Sequence, residues 1–291
     1  MLIPYKENLC SKFAEKMLSI KICNQCNMSC SFCVDRGGRD GRKIDVALIA
    51  KEAIAKGEYK TVIITGGEPF LVFDYVIELC KLLRPYKTRI VLNTNGSLLS
   101  REKVQELNGL IDELQVSIHH YNENRNGNVF GKSISFKNIK DSLLLKQFTF
   151  SINSTFNKEY TIDERKNAIN KMTELCLFLG ADKLRLTELK KVSGEEFVSS
   201  NSFFADNDRF TNLSSKELIT QGCTRYYNDK GILVSVKRLC EYAKGTNAPA
   251  FSCCFINTNG QKKIDVETKD TFKVIYSDGL VTDDWIFNRA L

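Results

Sequence analysis

Residues 23–33 read CNQCNMSCSFC, so four of the chain's 11 cysteines lie within one short stretch. Thiols at this density serve as a disulfide knot, a zinc knuckle, an electron-carrying ferredoxin site or a catalytic iron–sulfur cluster. The stretch directly follows MLSIKI at 17–22, an apolar run that predicts a strand. How these four thiols are used decides how the rest of the chain is interpreted.

The cellular compartment bears on the disulfide alternative. The chain contains no run of about eighteen apolar residues, and its start, MLIPYKENLCSKFAEK, has no apolar segment of the length that a signal peptide needs. We therefore predict a cytoplasmic protein, whose thiols stay reduced. The cysteines are then expected to be metal ligands or buried apolar side chains rather than disulfide partners.

Cysteine spacing separates the remaining uses. A zinc knuckle usually pairs two CxxC units about fifteen to twenty residues apart, whereas here the units Cys23–Cys26 and Cys30–Cys33 are separated by only three residues. A ferredoxin run has the spacing C-x2-C-x2-C-x3-C, and this stretch has C-x2-C-x3-C-x2-C. The mismatch indicates that only part of the run is the site.

Strand-like and helix-like stretches alternate over the first two thirds of the chain. The predicted strands are 17–22, 60–65, 89–94, 114–119, 148–153 and 182–187. The predicted helices are 45–56, 73–83, 102–107, 136–146 and 162–179. This alternation implies βα units and a mainly parallel sheet of six strands.

The last three predicted strands, LQVSIH, FTFSIN and DKLRLT, alternate apolar and polar residues. A parallel sheet that is covered on both faces is apolar on both faces. A polar face therefore indicates a curved, open sheet around a wet cavity. We predict an α/β fold, a partial (β/α)6 barrel that binds something polar.

Taken alone, Cys26-x3-Cys30-x2-Cys33 resembles the signature of radical SAM enzymes. In that family three cysteines hold a [4Fe–4S] cluster, and S-adenosylmethionine (SAM) chelates the fourth iron. The resemblance implies both cofactors, cleavage of SAM to a 5′-deoxyadenosyl radical, and an electron donor such as flavodoxin or ferredoxin. Phe32 matches the family's aromatic position near the adenine, and Cys23 is expected to be structural.

Further motifs follow the other predicted strands and agree with this resemblance. Residues Gly66, Gly67, Glu68 and Pro69 form a GGEP segment, which in the family binds the SAM amino group. Glycines permit close approach of backbone and ligand, although a plain tight turn also explains the pair. The resemblance also indicates, less specifically, that four polar residues contact SAM: Asn93, Ser117, Asn153 and Arg185. Polar side chains inside a barrel could equally do no more than solvate one another. His119 is a candidate proton donor or substrate ligand, or else a hydrogen-bonded histidine at the rim.

After residue 187 the helical pattern gives way to hairpin signals, at Asn259-Gly260 and at Asp278-Gly279. We predict a barrel core over 1–187 and a smaller β-rich extension over 188–291 that closes one side of the barrel. Some radical SAM subfamilies carry an auxiliary cluster in such a region. The candidate ligands are Cys223, Cys240, Cys253 and Cys254. Their spacing fits poorly, so we expect a single cluster.

The substrate is the least determined feature. The net charge of +7 without a run of like charges leaves nucleic-acid binding unsupported, and the basic balance favours a polar, anionic substrate. Peptide-maturing relatives often carry a leader-binding domain, and only about sixteen residues precede the first predicted strand. This favours a small molecule or nucleotide, with a peptide as the alternative. An electron-transfer or metal-binding protein without SAM chemistry is the alternative of another class.

Overall fold

The computed structural model describes residues 16–33, 44–188, 198, 203, 219–221, 224–237, 254–256, 262–264 and 272–282. Six strands alternate with helices in its first part. The strands are β1 (Met17–Lys21), β2 (Thr61–Thr65), β3 (Arg89–Thr94), β4 (Glu113–Ser117), β5 (Thr149–Phe156) and β6 (Lys183–Glu188). The helices are α1 (Val46–Ala55), α2 (Phe73–Leu83), α3 (Arg101–Leu107), α4 (Glu123–Phe130), α5 (Phe136–Ser142) and α6 (Ile162–Leu179), with a 3-10 turn at Pro69–Val72. None of the helices in these ranges has both the length and the apolar character that crossing a bilayer requires.

Strands β1 to β6 are neighbours in chain order, and every consecutive pair is parallel. Their carboxyl ends therefore form one rim, where barrel enzymes place their chemistry. The face toward the helices is a closed apolar core, with fully buried side chains such as Ile20, Ile64, Leu92, Val116, Ile152 and Leu184. The opposite face carries the polar positions that the sequence pattern predicted. The partial barrel is confirmed.

The extension joins the same sheet at both of its edges. Strand β9 (Ile232–Lys237) is parallel to β6, and β12 (Phe272–Tyr276) is parallel to β1. The remaining strands are β7 (Ile219–Gln221), β8 (Thr224–Asp229), β10 (Cys254–Ile256), β11 (Lys262–Ile264) and β13 (Val281–Thr282). The sequence predicted closure of one side, whereas these strands flank both edges. The division at residue 187 stays a prediction.

Both predicted hairpins form, since β10 pairs antiparallel with β11 and β12 with β13. A third hairpin, between β8 and β9, turns at Lys230-Gly231 with positive φ angles of 52° and 88°. The sequence analysis missed it because Asp-Lys-Gly lacks the Asn-Gly or Asp-Gly pair that marks such turns most strongly.

The floor of the barrel, at the amino end of β4, is closed by an ion cluster. The buried carboxylate of Glu113 pairs with Arg89 and, at 3.2 Å, with Lys183. It also accepts hydrogen bonds from Ser151 Oγ at 2.7 Å and Gln115 Nε2 at 2.9 Å. Burial alone would raise the pKa of Glu113, but these donors and charges lower it to about 2. These contacts hold a buried carboxylate at the end of the barrel opposite the rim.

Candidate active site

The loop that carries the cysteines leaves β1 at the rim and is tied to the turn after β2. Gly67 N donates to Cys23 O at 2.8 Å, and Glu68 N donates to Gln25 O at 2.7 Å. A Cβ atom on Gly67 would lie 2.0 Å from Gln25 O, and one on Gly66 would lie 2.5 Å from Cys23 O. The glycine pair therefore admits the backbone of the cysteine loop, a close approach that the sequence analysis had assigned to a ligand.

Glu68 locks the rim of β2 to the rim of β3. Its fully buried carboxylate accepts from Phe70 N at 3.0 Å, from Thr94 Oγ1 at 2.7 Å and from Asn95 N at 2.7 Å. Burial raises the pKa of Glu68, and these hydrogen bonds oppose the rise. Both oxygens are thus occupied by protein donors, and Pro69 opens the 3-10 turn behind them.

Two asparagines, Asn27 and Asn95, hold the first part of the cysteine loop. Asn95 Nδ2 donates to Asn27 Oδ1 at 2.8 Å and lies 4.0 Å from Cys26 Sγ. Asn27 Nδ2 donates to Ser97 Oγ at 2.8 Å, and Met28 N donates to Cys26 Sγ at 3.4 Å. The sequence analysis missed Asn27, whereas Asn95 belongs to the NTNG segment at 93–96, which closes the third predicted strand and resembles a TNG segment of the family.

The four clustered cysteines differ in their surroundings. Cys26, Cys30 and Cys33 are half-buried free thiols, whereas Cys23 is buried and its Sγ donates to Glu68 O at 3.5 Å. Burial raises the pKa of Cys23 to about 11. Burial also raises the pKa of Cys30 to about 12, reinforced by the neighbouring sulfurs of Cys33 and Cys26. Thiolates at such positions require a compensating cation, as a metal would supply.

Three of the predicted polar residues share one row of the barrel interior. In the strand register Ser117 lies opposite Asn153, and Asn153 lies opposite Arg185. Asn93 is one row lower, opposite Gln115. Its buried Oδ1 has no hydrogen-bond partner among the described residues. The row of three thus lies nearer the rim than Asn93 does.

His119 lies between the cysteine loop and helix α4. Its ring makes an edge-on contact with Phe32, with ring centroids 4.9 Å apart, and packs against Phe130 at 5.0 Å. Thr155 N donates to Nδ1 at 3.2 Å. Burial lowers the pKa of His119 to about 3, so the imidazole is neutral at pH 7. This argues against an imidazolium as the proton donor that the sequence suggested.

Comparison with known families agrees with the resemblance that the sequence motifs indicated. A family model described as the radical SAM superfamily matches residues 20–177, which is more than half of the chain. The chain belongs to the radical SAM superfamily.

Several proteins resemble this radical SAM chain in sequence or fold. The putative peptide biosynthesis protein YydG of Bacillus subtilis is 29% identical over 191 residues, which cover 60% of this chain and 58% of YydG. A probable GTP 3′,8-cyclase of Pyrococcus horikoshii is 32% identical over 107 residues, or 35% of this chain and 33% of that protein. This chain thus spans at most about three fifths of these relatives.

The fold also resembles a solved structure, Streptococcus suis SuiB bound to S-adenosylmethionine. The TM-score is 0.64 at 17% identity, and the match covers 94% of this chain and 61% of SuiB. Another structure of SuiB contains the precursor peptide SuiA. At this identity the likeness concerns the fold, and it extends to the strands of the extension.

The cofactors of this radical SAM enzyme are a [4Fe–4S] cluster and SAM. The thiols at the rim fit such a cluster, because Cys26, Cys30 and Cys33 are half-buried on one short loop, and burial together with the sulfurs of Cys33 and Cys26 raises the pKa of Cys30. No three His, Cys, Asp or Glu side chains in the described ranges converge on one ion. A [4Fe–4S] cluster does not require such convergence, because each cysteine ligates a separate iron.

The candidate ligands of an auxiliary cluster lie in a region that the structure describes only in part. Cys223, Cys240 and Cys253 lie outside the described residues. Cys254 begins β10, but its side chain also lies outside the description. The expectation of a single cluster therefore stays a prediction.

Proposed function

We propose that Cys26, Cys30 and Cys33 ligate three irons of the cluster and leave the fourth for SAM. One electron from a donor such as flavodoxin or ferredoxin, together with SAM, gives methionine and the 5′-deoxyadenosyl radical. This radical takes a hydrogen atom from a polar substrate, which yields 5′-deoxyadenosine and a substrate radical. The observation that carries the proposal is that three half-buried thiols lie on one loop, which is tied to the rim of the barrel.

The surroundings of the loop support distinct roles toward SAM. Phe32 is suited to pack on the adenine, and the row of Ser117, Asn153 and Arg185 offers donors for the ribose and carboxylate. The carboxylate of Glu68 already accepts hydrogen bonds from three protein donors. The contribution of the GGEP segment to SAM binding is therefore assigned to its backbone.

The test is anaerobic reconstitution with iron and sulfide, followed by reduction with dithionite in the presence of SAM. We expect 5′-deoxyadenosine from the wild type and from Cys176→Ser, which changes a buried cysteine of helix α6. Cys30→Ser should give none. An electron-transfer protein would instead form no 5′-deoxyadenosine, and its reduced cluster would keep the same EPR spectrum when SAM is added. That result would refute the proposal.

For the substrate we propose a peptide. The match to YydG supports this class, because it covers 60% of this chain and YydG is described as a putative peptide biosynthesis protein. The short segment before β1 does not oppose it, since this chain spans only part of its relatives. A nucleotide is the second candidate, supported by the match to a probable GTP 3′,8-cyclase.

Isotope transfer distinguishes the two substrate classes. The reduced enzyme with SAM is offered either a perdeuterated short peptide encoded beside its gene or deuterated GTP. Deuterium in the 5′-deoxyadenosine identifies the molecule that lost the hydrogen atom. We expect label from the peptide, whereas label from GTP alone would replace the peptide with a nucleotide.

A further inference from the structure

His119 is fixed from both sides by asparagine side chains. Its backbone N donates to Asn126 Oδ1 of helix α4 at 2.8 Å, and its carbonyl accepts from Asn157 Nδ2 at 2.8 Å. Asn157 follows directly after β5 and is itself buried, as is Asn126. These two hydrogen bonds set the path of the chain after β4, and thus the place from which the imidazole leaves the backbone.

The ring of His119 is fixed as well. The amide of Thr155 can only donate, so Nδ1 is the acceptor of that 3.2 Å hydrogen bond and the proton resides on Nε2. The hydroxyl of Thr155 lies 3.1 Å from the same nitrogen. One tautomer and one orientation are therefore selected by strand β5, without any bound ligand.

The fixed ring contacts the cysteine loop at Phe32, which directly precedes Cys33 and which the proposed function places beside the adenine. The ring planes of His119 and Phe32 are 87° apart. The ring of Phe130, at the end of helix α4, also packs against the His119 ring, with ring centroids 5.0 Å apart. The same helix end accepts a hydrogen bond from Ser29 N at 2.9 Å, which ties it to the loop.

We propose that His119 is a positioning residue for SAM: its fixed imidazole holds the Phe32 ring edge-on, so that the adenine pocket exists before SAM binds. This inference rests on the proposed function, because only a cluster on the neighbouring cysteines brings the adenine to Phe32. A preformed ring needs no ordering on binding, which favours affinity. An aromatic pair of this kind changes an equilibrium constant by about three- to tenfold.

Two substitutions distinguish the effect of the His119 ring from the effect of its hydrogen bond to Thr155. His119→Asn keeps an acceptor near the Thr155 amide but removes the ring, whereas His119→Phe keeps a ring against Phe32 and removes the acceptor. Both variants are reconstituted, and iron per chain is measured first. SAM affinity is then read from the SAM-induced change in the EPR spectrum of the reduced cluster, which requires neither substrate nor turnover.

We expect wild-type iron content in both variants, an apparent Kd for SAM raised about three- to tenfold in His119→Asn, and a much smaller change in His119→Phe. Wild-type affinity in His119→Asn would overturn the inference. Equal loss in both variants would also overturn it, since the hydrogen bond rather than the ring would then matter. If the EPR spectrum of the wild type does not change when SAM is added, the proposed function itself is refuted. This result differs from the two outcomes that overturn the inference alone.

Discussion

At the residue scale, Cys23 and its three neighbours are identical in type and distinct in environment. Cys23 Sγ is buried and donates to Glu68 O, whereas the other three thiols are only half-buried at the rim. We therefore expect Cys26→Ser, Cys30→Ser and Cys33→Ser each to abolish the visible absorbance of the reconstituted cluster. Cys23→Ser should keep most of it. Bleaching by Cys23→Ser as complete as in the other three variants would refute the three-ligand assignment.

The two adjacent histidines make stability dependent on pH. Burial lowers the pKa of His119 to about 3 and that of His120 to about 4, against about 6.5 in the unfolded chain. The unfolded state therefore binds more protons between these values, so stability is present above pH 6.5 and is lost as pH falls. Each histidine should cost about 2 kcal/mol between about pH 7.5 and pH 5.

Denaturant unfolding at a series of pH values measures this cost. His119→Asn removes one titrating group, so its free energy of unfolding should fall less steeply than that of the wild type over the same range. Glu113 does not interfere, because its lowered pKa of about 2 affects stability only below about pH 4.5. Parallel curves for wild type and variant would contradict the assignment.

At the scale of elements, helix α4 is the part that the sequence did not reveal. Its eight residues include three asparagines and a glycine, so the apolar spacing that marks a helix is absent. The helix instead forms through its ends, since Asn122 caps it by accepting from Arg125 N and Gly131 ends it with φ of 70°. The other five helices have clear apolar periodicity, and their predicted bounds differ little from the observed ones.

The same reasoning explains which part of the site could be predicted. The cysteine, GGEP and NTNG segments are contiguous in the chain, so local sequence reveals them. The partners of Glu68 come from β3, and those of His119 come from α4 and β5. Such contacts depend on how distant strands are registered, and no local pattern encodes them.

Glycine 131 permits a direct test of how α4 supports the cysteine loop. Gly131→Ala would place a Cβ 2.1 Å from Ser29 Oγ, in addition to the cost of a positive φ. Gly180→Ala is the matched control, because Gly180 ends helix α6 at φ of 73° with nothing within 4 Å. We expect about 1–2 kcal/mol of destabilisation in the control and more in Gly131→Ala.

Iron content decides whether the extra cost in Gly131→Ala falls on the loop. We expect reduced iron per chain in this variant and full iron in Gly180→Ala, both measured after reconstitution under native conditions. Equal destabilisation and equal iron content in the two variants would show that α4 does not brace the loop.

At the scale of the whole molecule, five strands of the extension (β7, β8, β9, β12 and β13) continue the barrel sheet, whereas β10 and β11 form a separate two-stranded sheet. Strand β12 pairs with the outer edge of β1 through a five-residue parallel register. The carbonyl of Ser277, directly after β12, accepts a hydrogen bond from Asp45 N at the start of helix α1. Removal of residues 272–291 should therefore expose an apolar strand edge beside the cysteine loop. We expect aggregation in sedimentation experiments and loss of iron binding. Removal of residues 283–291 is the control, and full iron content in the longer deletion would contradict this role.

The pairing of β1 with β12 also sets an order of events during synthesis. Strand β1 and the thiols that follow it are translated before every other described strand, whereas the neighbouring strand β12 is translated after all of them except β13. Until then β1 lacks one of its two partners, and the base of the cysteine loop rests on an unfinished sheet. The nascent chain thus carries reduced thiols without the scaffold that spaces them. We therefore expect the cysteine loop to take up iron and sulfide only after β12 has been translated and has docked on β1.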